Sequence, residues 1–241
     1  MKIISLVPSI TKTLFDLGLE NHELVGRTKF CIHPKKLVKN IPIIGGTKNL
    51  NIEKILALKP DLIIANKEEN EKIQVEKLKQ YCRVWTTEIS NLKDNENFIW
   101  ELGMVLKKRE EAQKLNLKIE EIFNNFKENQ LKKVAYLIWQ NPLMTIGGDT
   151  FINEILEKTG FENIFKNQKR YPKINLKDLK KADYLFLSTE PFPFNETHIS
   201  DFQKKLPHLK VKLLDGEAFS WFGSHIAEFE DYYKDLKKLS F

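Results

Sequence analysis

Short strand-forming runs alternate with stretches of helical spacing along the first ninety residues. Residues 3–7, 62–65 and 84–86 have the length and composition of buried strands, and apolar positions recur at helical spacing over residues 11–17 and 52–58. Strands that alternate with helices at this interval form a mostly parallel sheet covered on both faces. The pattern therefore predicts an α/β fold for this part of the chain.

One long helix is predicted next, over residues 95–130. The stretch contains no proline, and its apolar residues recur at helical spacing from Phe98 to Phe126. At a rise of about 1.5 Å per residue, such a helix is on the order of 50 Å long. We expect it to connect two lobes.

The pattern of the first part returns after this helix. Residues 176–186 repeat the helix, turn and buried strand of residues 52–64, and Asp61 and Asp183 mark the turn in the two copies. A unit that occurs twice indicates two lobes of similar construction.

The expected organisation is an N-terminal lobe over residues 1–94, a connecting helix over 95–130 and a C-terminal lobe over 131–241. Ligands of open α/β sheets bind beyond the carboxyl ends of the strands, so we expect a ligand-binding cleft between the lobes.

Charge and composition exclude some classes of protein. The 241 residues include 39 basic and 33 acidic side chains, and no stretch interleaves basic and aromatic residues as nucleic-acid-binding elements do. Cys31 and Cys82 are too far apart in sequence to indicate a disulfide framework. The apolar run at residues 3–7 is too short for a signal peptide or a spanning helix, so we expect no export signal in the chain as written. We expect a monomer that binds no nucleic acid.

The order of four motifs resembles a known family. The motifs are Ser-Leu-Val-Pro-Ser at 5–9, Gly-Gly-Thr-Lys at 45–48, Leu-Lys-Pro-Asp-Leu-Ile at 58–63 and Gly-Gly-Asp-Thr-Phe-Ile at 147–152. Their succession resembles the cobalamin and iron-chelate substrate-binding proteins of ABC importers, the helical-backbone metal receptors that include vitamin B12-binding proteins.

The resemblance implies the class III periplasmic-binding-protein fold, with two Rossmann-like lobes of mostly parallel sheet joined by one long α-helix. It also implies capture of a metal chelate, delivery to an ABC permease and a periplasmic or surface-anchored location.

The chain departs from the cobalamin binders in its first lobe. Cys31, His33 and Thr47 stand where those proteins are aromatic, and Lys72, beside Glu71, stands where a carboxylate would dock on the permease. The resemblance therefore leaves both a cobalamin-like and an iron–siderophore-like ligand open.

The residues expected to bind the ligand follow strand ends or belong to the family motifs. They are Pro8, Ser9, Cys31, His33, Thr47, Lys48, Glu68, Glu69, Trp85, Glu88, Glu190, Phe192, Trp221 and His225.

Cys31 and His33 are also candidate metal ligands. They lie two residues apart, so in an extended loop their side chains converge on one ion, with a third ligand from one of the carboxylates or from His225. The alternative is that Cys31 is a small buried residue and His33 a hydrogen-bonding residue of the loop.

Aromatic residues mark two loops of the second lobe. Phe192 follows Glu190 between prolines, and aromatic faces suit a flat or macrocyclic ligand. The alternative is an aromatic loop that packs on its own lobe. Trp221 and Phe222 follow the last strand, where both are hard to bury, so at least one is expected to meet the ligand or the other lobe.

Two functions remain open from the sequence. The first is reversible, non-catalytic binding of a metal chelate, cobalamin or an iron complex, or of a divalent metal, with no resident cofactor. The second is a cytosolic enzyme that uses Cys31 as a nucleophile, or Cys31, His33 and nearby carboxylates to hold a catalytic metal. No nucleophile elbow, catalytic-triad spacing or HExxH motif is present, which favours binding.

Overall fold

A computed structural model describes residues 1–124 and 131–240 of the chain. It divides into two compact units. The first contains Met1–Ile89, Lys93–Lys118 and Phe222–His225, and the second contains Ser90–Leu92, Ile119–Trp221 and Ile226–Phe241.

Nine strands and ten α-helices are found along the described residues. The strands are β1 (Ile3–Ser5), β2 (Leu24–Arg27), β3 (Leu62–Asn66), β4 (Val84–Thr87), β5 (Lys132–Trp139), β6 (Met144–Thr145), β7 (Phe161–Asn163), β8 (Tyr184–Ser188) and β9 (Lys210–Leu214). The helices are α1 (Pro8–Asp16), α2 (Lys35–Val38), α3 (Ile52–Ala57), α4 (Lys72–Lys79), α5 (Leu92–Leu106), α6 (Arg109–Asn124), α7 (Phe151–Lys158), α8 (Glu196–Lys205), α9 (Glu217–Ser220) and α10 (Glu230–Lys237). Turns of 3₁₀ helix cover Leu176–Lys181, Gly223–Glu228 and Lys238–Ser240.

The first unit is built on a four-stranded sheet in the order β2-β1-β3-β4, and each pair is parallel. Every residue of β1 and β3 is buried, as expected for central strands covered by helices on both faces. Because the strands are parallel, the loops that follow them lie at one edge of this sheet.

The second unit contains a five-stranded sheet in which β5 pairs with β6, β7 and β8, and β8 pairs with β9. The pairing of β5 with β6 is antiparallel and the others are parallel. The buried strand β8 contributes Leu185 and Leu187 to an apolar core with Leu137 and Phe202. The prediction of mostly parallel sheets is therefore confirmed.

The prediction of one uninterrupted helix over residues 95–130 is wrong. Helix α5 ends at Leu106, and Lys107 has a φ of 58°. The N–H groups of Lys107 and Lys108 donate to the carbonyls of Met104 and Gly103, which is the Schellman pattern that ends a helix. Residues 125–130 lie outside the described residues.

Helix α6 begins at Arg109 and packs against α5. A Cβ on Gly103 would lie 2.4 Å from the Cβ of Ala112, so only glycine permits this approach. The side-chain amide of Asn116 donates to the carbonyl of Glu96 at 3.0 Å. The proline-free stretch is thus two packed helices, each amphipathic, which is why its apolar spacing resembles one long helix.

Helix α6 contributes residues to both units, because the division falls between Lys118 and Ile119. Phe222–His225 lies late in the chain but belongs to the first unit. The division into 1–94, 95–130 and 131–241 stays a prediction. No helix over the described residues is long and apolar enough to span a membrane.

Candidate functional site

Asn66 organises the loop after β3 in the first unit. It is 2% exposed, and its side-chain oxygen accepts from the N–H groups of Glu68 and Glu69 at 2.9 and 3.3 Å. Its amide nitrogen donates to the hydroxyl of Thr87 on β4 at 3.1 Å. The position of Glu68 and Glu69 is therefore fixed from inside the loop, which explains why the last residue of a buried strand is polar.

Asn70 joins this loop to two others. Its side-chain oxygen accepts from the N–H of Asn66 at 2.9 Å, and its nitrogen lies 3.0 Å from the carbonyl of Thr47 and 3.3 Å from that of Leu6. The loops after β1 and β3 and the Gly-Gly-Thr-Lys turn are thus held by one buried amide.

Lys48 adds a contact between the same turn and the loop after β3. Its ammonium group donates to the carbonyl of Glu68 at 2.6 Å and lies 4.0 Å from the carboxylate of Glu71. The structure therefore brings three predicted ligand-binding residues, Thr47, Lys48 and Glu68, into one hydrogen-bonded cluster.

Trp85 lies within β4, and Glu88 follows its last residue. The half-buried indole of Trp85 packs 5.7 Å from the ring of Phe98, centroid to centroid, and Glu88 pairs with Lys67 at 2.6 Å. Both partners of this ion pair are more than half exposed, so it contributes little to stability. An open pocket of about 240 Å³ lies beside them. It is lined by Trp85, Thr86, Thr87, Glu88, Ile89, Asp94, Asn97, Phe98 and Glu101.

Pro8 and Ser9 open helix α1, directly after the loop that follows β1. Pro8 is half-buried in the first turn, and the carbonyl of the buried Ser9 accepts from the hydroxyl of Thr13 at 2.8 Å. These two residues shape the helix start.

Cys31 is fully buried, and its sulfur lies 3.1 Å from the hydroxyl of Thr28. Burial raises the pKa of this thiol, despite lowering contributions from Thr11 and Thr28. The thiolate is the form that attacks substrates and binds metals, so the environment disfavours both roles. Among residues 1–124 and 131–240, no group of three or more His, Cys, Asp and Glu side chains is arranged to hold a metal ion. A metal bound by Cys31 and His33 stays a prediction.

His33 and His225 lie side by side in the first unit. Their ring centroids are 6.1 Å apart and the ring planes are inclined by 26°. His225 is 5% exposed, whereas His33 is half-buried. His225 is one of the candidate third ligands for a metal at Cys31 and His33; the structure brings it near His33, and a shared metal stays a prediction.

The segment Phe222–His225 is fixed to the first unit by backbone hydrogen bonds. The N–H of Gly223 donates to the side-chain oxygen of Asn95 at 2.5 Å, and the N–H of Ser224 donates to the hydroxyl of Thr13 at 3.0 Å. Gly223 has a φ of 82°, and a Cβ at this position would lie 2.0 Å from the Thr13 oxygen. The position of His225 therefore depends on Gly223, because any residue with a Cβ at 223 would push the segment away from Thr13.

Trp221 and Phe222 are both buried, at 8% and 6% exposure, although the sequence indicated that both are hard to bury after a strand. Contact of either ring with the ligand stays a prediction. Phe222 meets Phe98 edge to face at 5.5 Å between centroids. The indole N–H of Trp221 donates to the carboxylate of Glu190 at 3.1 Å. Partners far away in the sequence bury both rings.

Glu190 has an enclosed carboxylate in the second unit. It accepts from the Ser220 hydroxyl at 2.5 Å as well as from Trp221. Burial raises the pKa of Glu190, the two donors lower it and Asp215 raises it further, with a net increase. The carboxylate therefore holds the Trp221 indole and the end of α9 in place.

Phe192 lies in an aromatic cluster on the second unit. Its ring centroid is 4.7 Å from that of Phe194 and 5.5 Å from that of Trp139. It also packs against the apolar core of this unit and is half-buried. These contacts support packing on its own unit, which the sequence left open beside ligand contact.

The predicted residues thus fall into separate groups. The structure joins Thr47, Lys48 and Glu68, joins His33 with His225, and joins Glu190 with Trp221, whereas Phe192 lies in its own cluster. Sequence reasoning missed the supporting roles of Asn70, Asn95 and Ser220. In the sequence, a polar residue at the end of an apolar strand marks Asn66 as a residue with a special role. No comparable pattern marks Asn95 or Ser220.

Comparisons with known proteins agree with this architecture. A family model described as "Periplasmic binding protein" matches residues 3–208. A vitamin B12-binding protein of Vibrio vulnificus is 25% identical over 217 residues, which cover 87% of this chain and 78% of that protein.

Two solved structures are similar over nearly their whole length. The periplasmic vitamin B12-binding protein of Vibrio cholerae superimposes with a TM-score of 0.83 at 21% identity, covering 99% of this chain and 97% of that one. A periplasmic heme-binding protein of Roseiflexus gives a TM-score of 0.80 at 17% identity, covering 100% and 99%. At these identities the likeness shows the fold, which is that of the class III periplasmic binding proteins.

The family match spans most of the chain, and the two parallel-sheet units have the construction that the solved structures share. On this evidence the chain belongs to the periplasmic binding protein family.

Proposed function

We propose that this protein captures a small metal chelate reversibly and without catalysis, as the substrate-binding component of an ABC importer. The observation that carries the proposal is the set of loops at the carboxyl ends of β1, β3 and β4, which Asn66 and Asn70 lock into one surface. Rigid polar loops at this edge of a parallel sheet are the usual ligand site of such folds. The membership of the family and the names of the relatives, which bind vitamin B12 or heme, support the choice of a chelate.

The proposed ligand-contacting residues are taken from those that the sequence predicts. In the first unit they are Thr47, Lys48, Glu68, Glu69, Trp85, Glu88, His33 and His225. For the second unit, ligand contact by Phe192 and Trp221 stays a prediction, and we assign Glu190 to hold Trp221. We assign Pro8, Ser9 and Cys31 a structural role, because Pro8 and Ser9 form the start of α1 and Cys31 is buried.

The enzyme alternative is less well supported. It depends on Cys31 as a nucleophile or as a metal ligand, and the buried thiol with its raised pKa suits neither role. We propose an ABC permease as the macromolecular partner and a monomeric state for the binding protein.

Isothermal titration calorimetry tests the proposal directly. We expect saturable one-to-one binding of at least one member of a panel that contains cyanocobalamin, heme, ferric siderophores and divalent metal salts. Trp85→Ala is expected to weaken that binding at least tenfold, because the indole ring contacts the ligand. Trp100→Ala is the matched control: it also removes an indole, from a side chain on α5 that is 43% exposed, and should leave binding unchanged. Absence of binding to every member of the panel by folded protein contradicts the proposal.

A further inference from the structure

The segment of residues 24–52 has an unusual charge composition. It contains one arginine and five lysines but no aspartate or glutamate, although the chain average of 33 acidic residues in 241 corresponds to about four in 29 residues. Arg27 is buried, and its guanidinium donates to the carbonyls of Val38 and Thr28 at 2.8 and 3.1 Å. Lys48 is engaged by the loop after β3. The remaining positive charge belongs to four exposed lysines, which are Lys29, Lys35, Lys36 and Lys39.

Among residues 1–124 and 131–240, none of these four ammonium groups forms an ion pair with a carboxylate. Elsewhere, exposed lysines commonly pair with nearby carboxylates, as Lys67 does with Glu88 and Lys234 with Glu230. The segment therefore carries a net positive charge, which attracts anions from solution.

Large apolar side chains are exposed on the same segment. Phe30 and Ile32 are 48% and 51% exposed and flank Cys31, and Leu37 and Ile43 are 42% and 44% exposed. Phe30 follows Lys29 directly, so an exposed aromatic ring and an exposed ammonium group occur side by side. Their presence points to a partner that is both anionic and partly apolar.

Lys29 and Phe30 lie next to the turn that carries Thr47. The N–H of Lys29 donates to the carbonyl of Gly45 at 2.8 Å, and its ammonium group lies 5.0 Å from the centroid of the Phe30 ring. The same ring lies over Gly46, where a Cβ would be 3.3 Å from Phe30 Cε2. The basic and aromatic groups therefore adjoin the proposed ligand surface.

We infer that the chelate bound by this protein is an anion with an apolar face, and that Lys29 and Phe30 form the part of the first unit that selects it. The inference rests on the proposed function and narrows its substrate class. The lysine ammonium group attracts the ionised acid groups of the chelate, and the exposed rings and aliphatic chains cover its apolar face. Lys29 repels a cationic chelate of the same size, whereas the carboxylates proposed as contacts, those of Glu68, Glu69 and Glu88, lie on the loops after β3 and β4 and not on this segment.

Two iron porphyrins that differ in the sign of their charge test the inference. One carries four phenylsulfonate groups and the other four N-methylpyridinium groups, so the metal and the macrocycle are matched. We expect the anionic porphyrin to bind at least tenfold more tightly in 50 mM salt, and its affinity to fall as salt rises because exposed charges are screened. Cyanocobalamin serves as the uncharged comparison.

Substitutions of Lys29 and Phe30 separate the contribution of charge to binding from the contribution of the apolar contact. Lys29→Gln is expected to weaken the anionic porphyrin several-fold and to leave cyanocobalamin unchanged, and Phe30→Ala is expected to weaken both porphyrins alike. Lys2→Gln is the matched control, because Lys2 precedes β1 and lies at the amino end of the strands. Circular dichroism checks that each variant is folded.

The outcomes distinguish the inference from the proposed function. Binding of the cationic porphyrin as tightly as the anionic one, or an affinity that neither salt nor Lys29→Gln changes, overturns the inference while chelate binding stands. Failure of every chelate to bind overturns the proposed function, and the inference with it.

Discussion

The carboxylate of Asp61 accepts a hydrogen bond from the backbone N–H of Lys2 at 2.7 Å, and the N–H of Asp61 donates to the carbonyl of Lys2 at 2.8 Å. The second unit repeats this two-way contact between Asp183 and Lys133, at 2.9 and 2.7 Å. Each aspartate precedes a buried strand and ties it to the start of the neighbouring strand. The internal repeat of the sequence therefore corresponds to a repeated pair of hydrogen bonds between an aspartate and the start of the neighbouring strand.

Loss of either aspartate carboxylate should destabilise its unit. A hydrogen bond to a charged acceptor contributes about 1.5–3 kcal/mol, reduced at these exposed positions, so Asp61→Ala and Asp183→Ala are each expected to lower the free energy of unfolding by about 1 kcal/mol. Urea unfolding followed by circular dichroism measures this. Asp231→Ala, at a side chain that is 96% exposed, is the control. Equal effects of all three substitutions would show that the contact with the strand start is unimportant.

Asn66→Ala should release the loop after β3. It removes the acceptor for two backbone N–H groups and leaves the Thr87 hydroxyl without its amide partner, in a site that is 2% exposed. We expect a loss of about 2–3 kcal/mol of stability. Amide hydrogen exchange at residues 67–70 should accelerate.

Asn49→Ala is the control for Asn66→Ala, because it removes the same side chain from an exposed position. Asn49→Ala is expected to change stability by less than about 0.5 kcal/mol. Unchanged exchange rates at residues 67–70 in Asn66→Ala would mean that the loop is held by other contacts.

Gly223→Ala should disturb the place of His225. The alanine Cβ would lie 2.0 Å from the Thr13 hydroxyl oxygen and would impose a φ of 82° on a residue with a side chain. We expect at least about 2 kcal/mol of destabilisation and a change in the NMR signals of both His33 and His225. Gly46→Ala, where φ is not positive and the nearest atom belongs to the Phe30 side chain, should cost far less. Wild-type histidine signals in folded Gly223→Ala would refute the anchoring role.

The raised pKa of Glu190 predicts a pH dependence of stability. A carboxyl group whose pKa is higher in the folded state than in the unfolded state favours folding when protonated, so its contribution declines as the pH rises from about 4.5 through the folded-state pKa. Glu190→Gln keeps an oxygen for Ser220 and Trp221 but cannot ionise. The difference in Tm between this variant and the wild type should therefore grow from pH 4 to pH 7, in favour of the variant.

Glu196→Gln, on the exposed start of α8, controls for the loss of one negative charge. A Tm difference for Glu190→Gln that is constant across this pH range would show that Glu190 does not titrate as described.

The sequence allowed the two parallel-sheet units to be predicted, because apolar runs and the repeated Asp61 and Asp183 are local signals. The break after α5 was not predictable in the same way, since Lys107 adopts a positive φ that is usual for glycine. The burial of both Trp221 and Phe222 depends on Glu190 and Phe98, which are distant in the sequence. Local patterns identify strands and turns, whereas contacts of this kind arise only when the chain is folded.

The two cysteines should differ sharply in reactivity. Cys31 is fully buried with a raised pKa, while Cys82 is only partly buried, although its pKa is raised as well. Since reaction with a thiol reagent requires an accessible thiolate, we expect Cys82 to be modified by iodoacetamide at pH 8 in native protein and Cys31 only after denaturation. Peptide mass spectrometry separates the two sites. Cys31→Ala should retain chelate affinity within about twofold while lowering stability by roughly 1–2 kcal/mol through the lost packing. Rapid labelling of Cys31 in native protein, or loss of binding in a stably folded Cys31→Ala, would instead place the thiol in contact with the ligand.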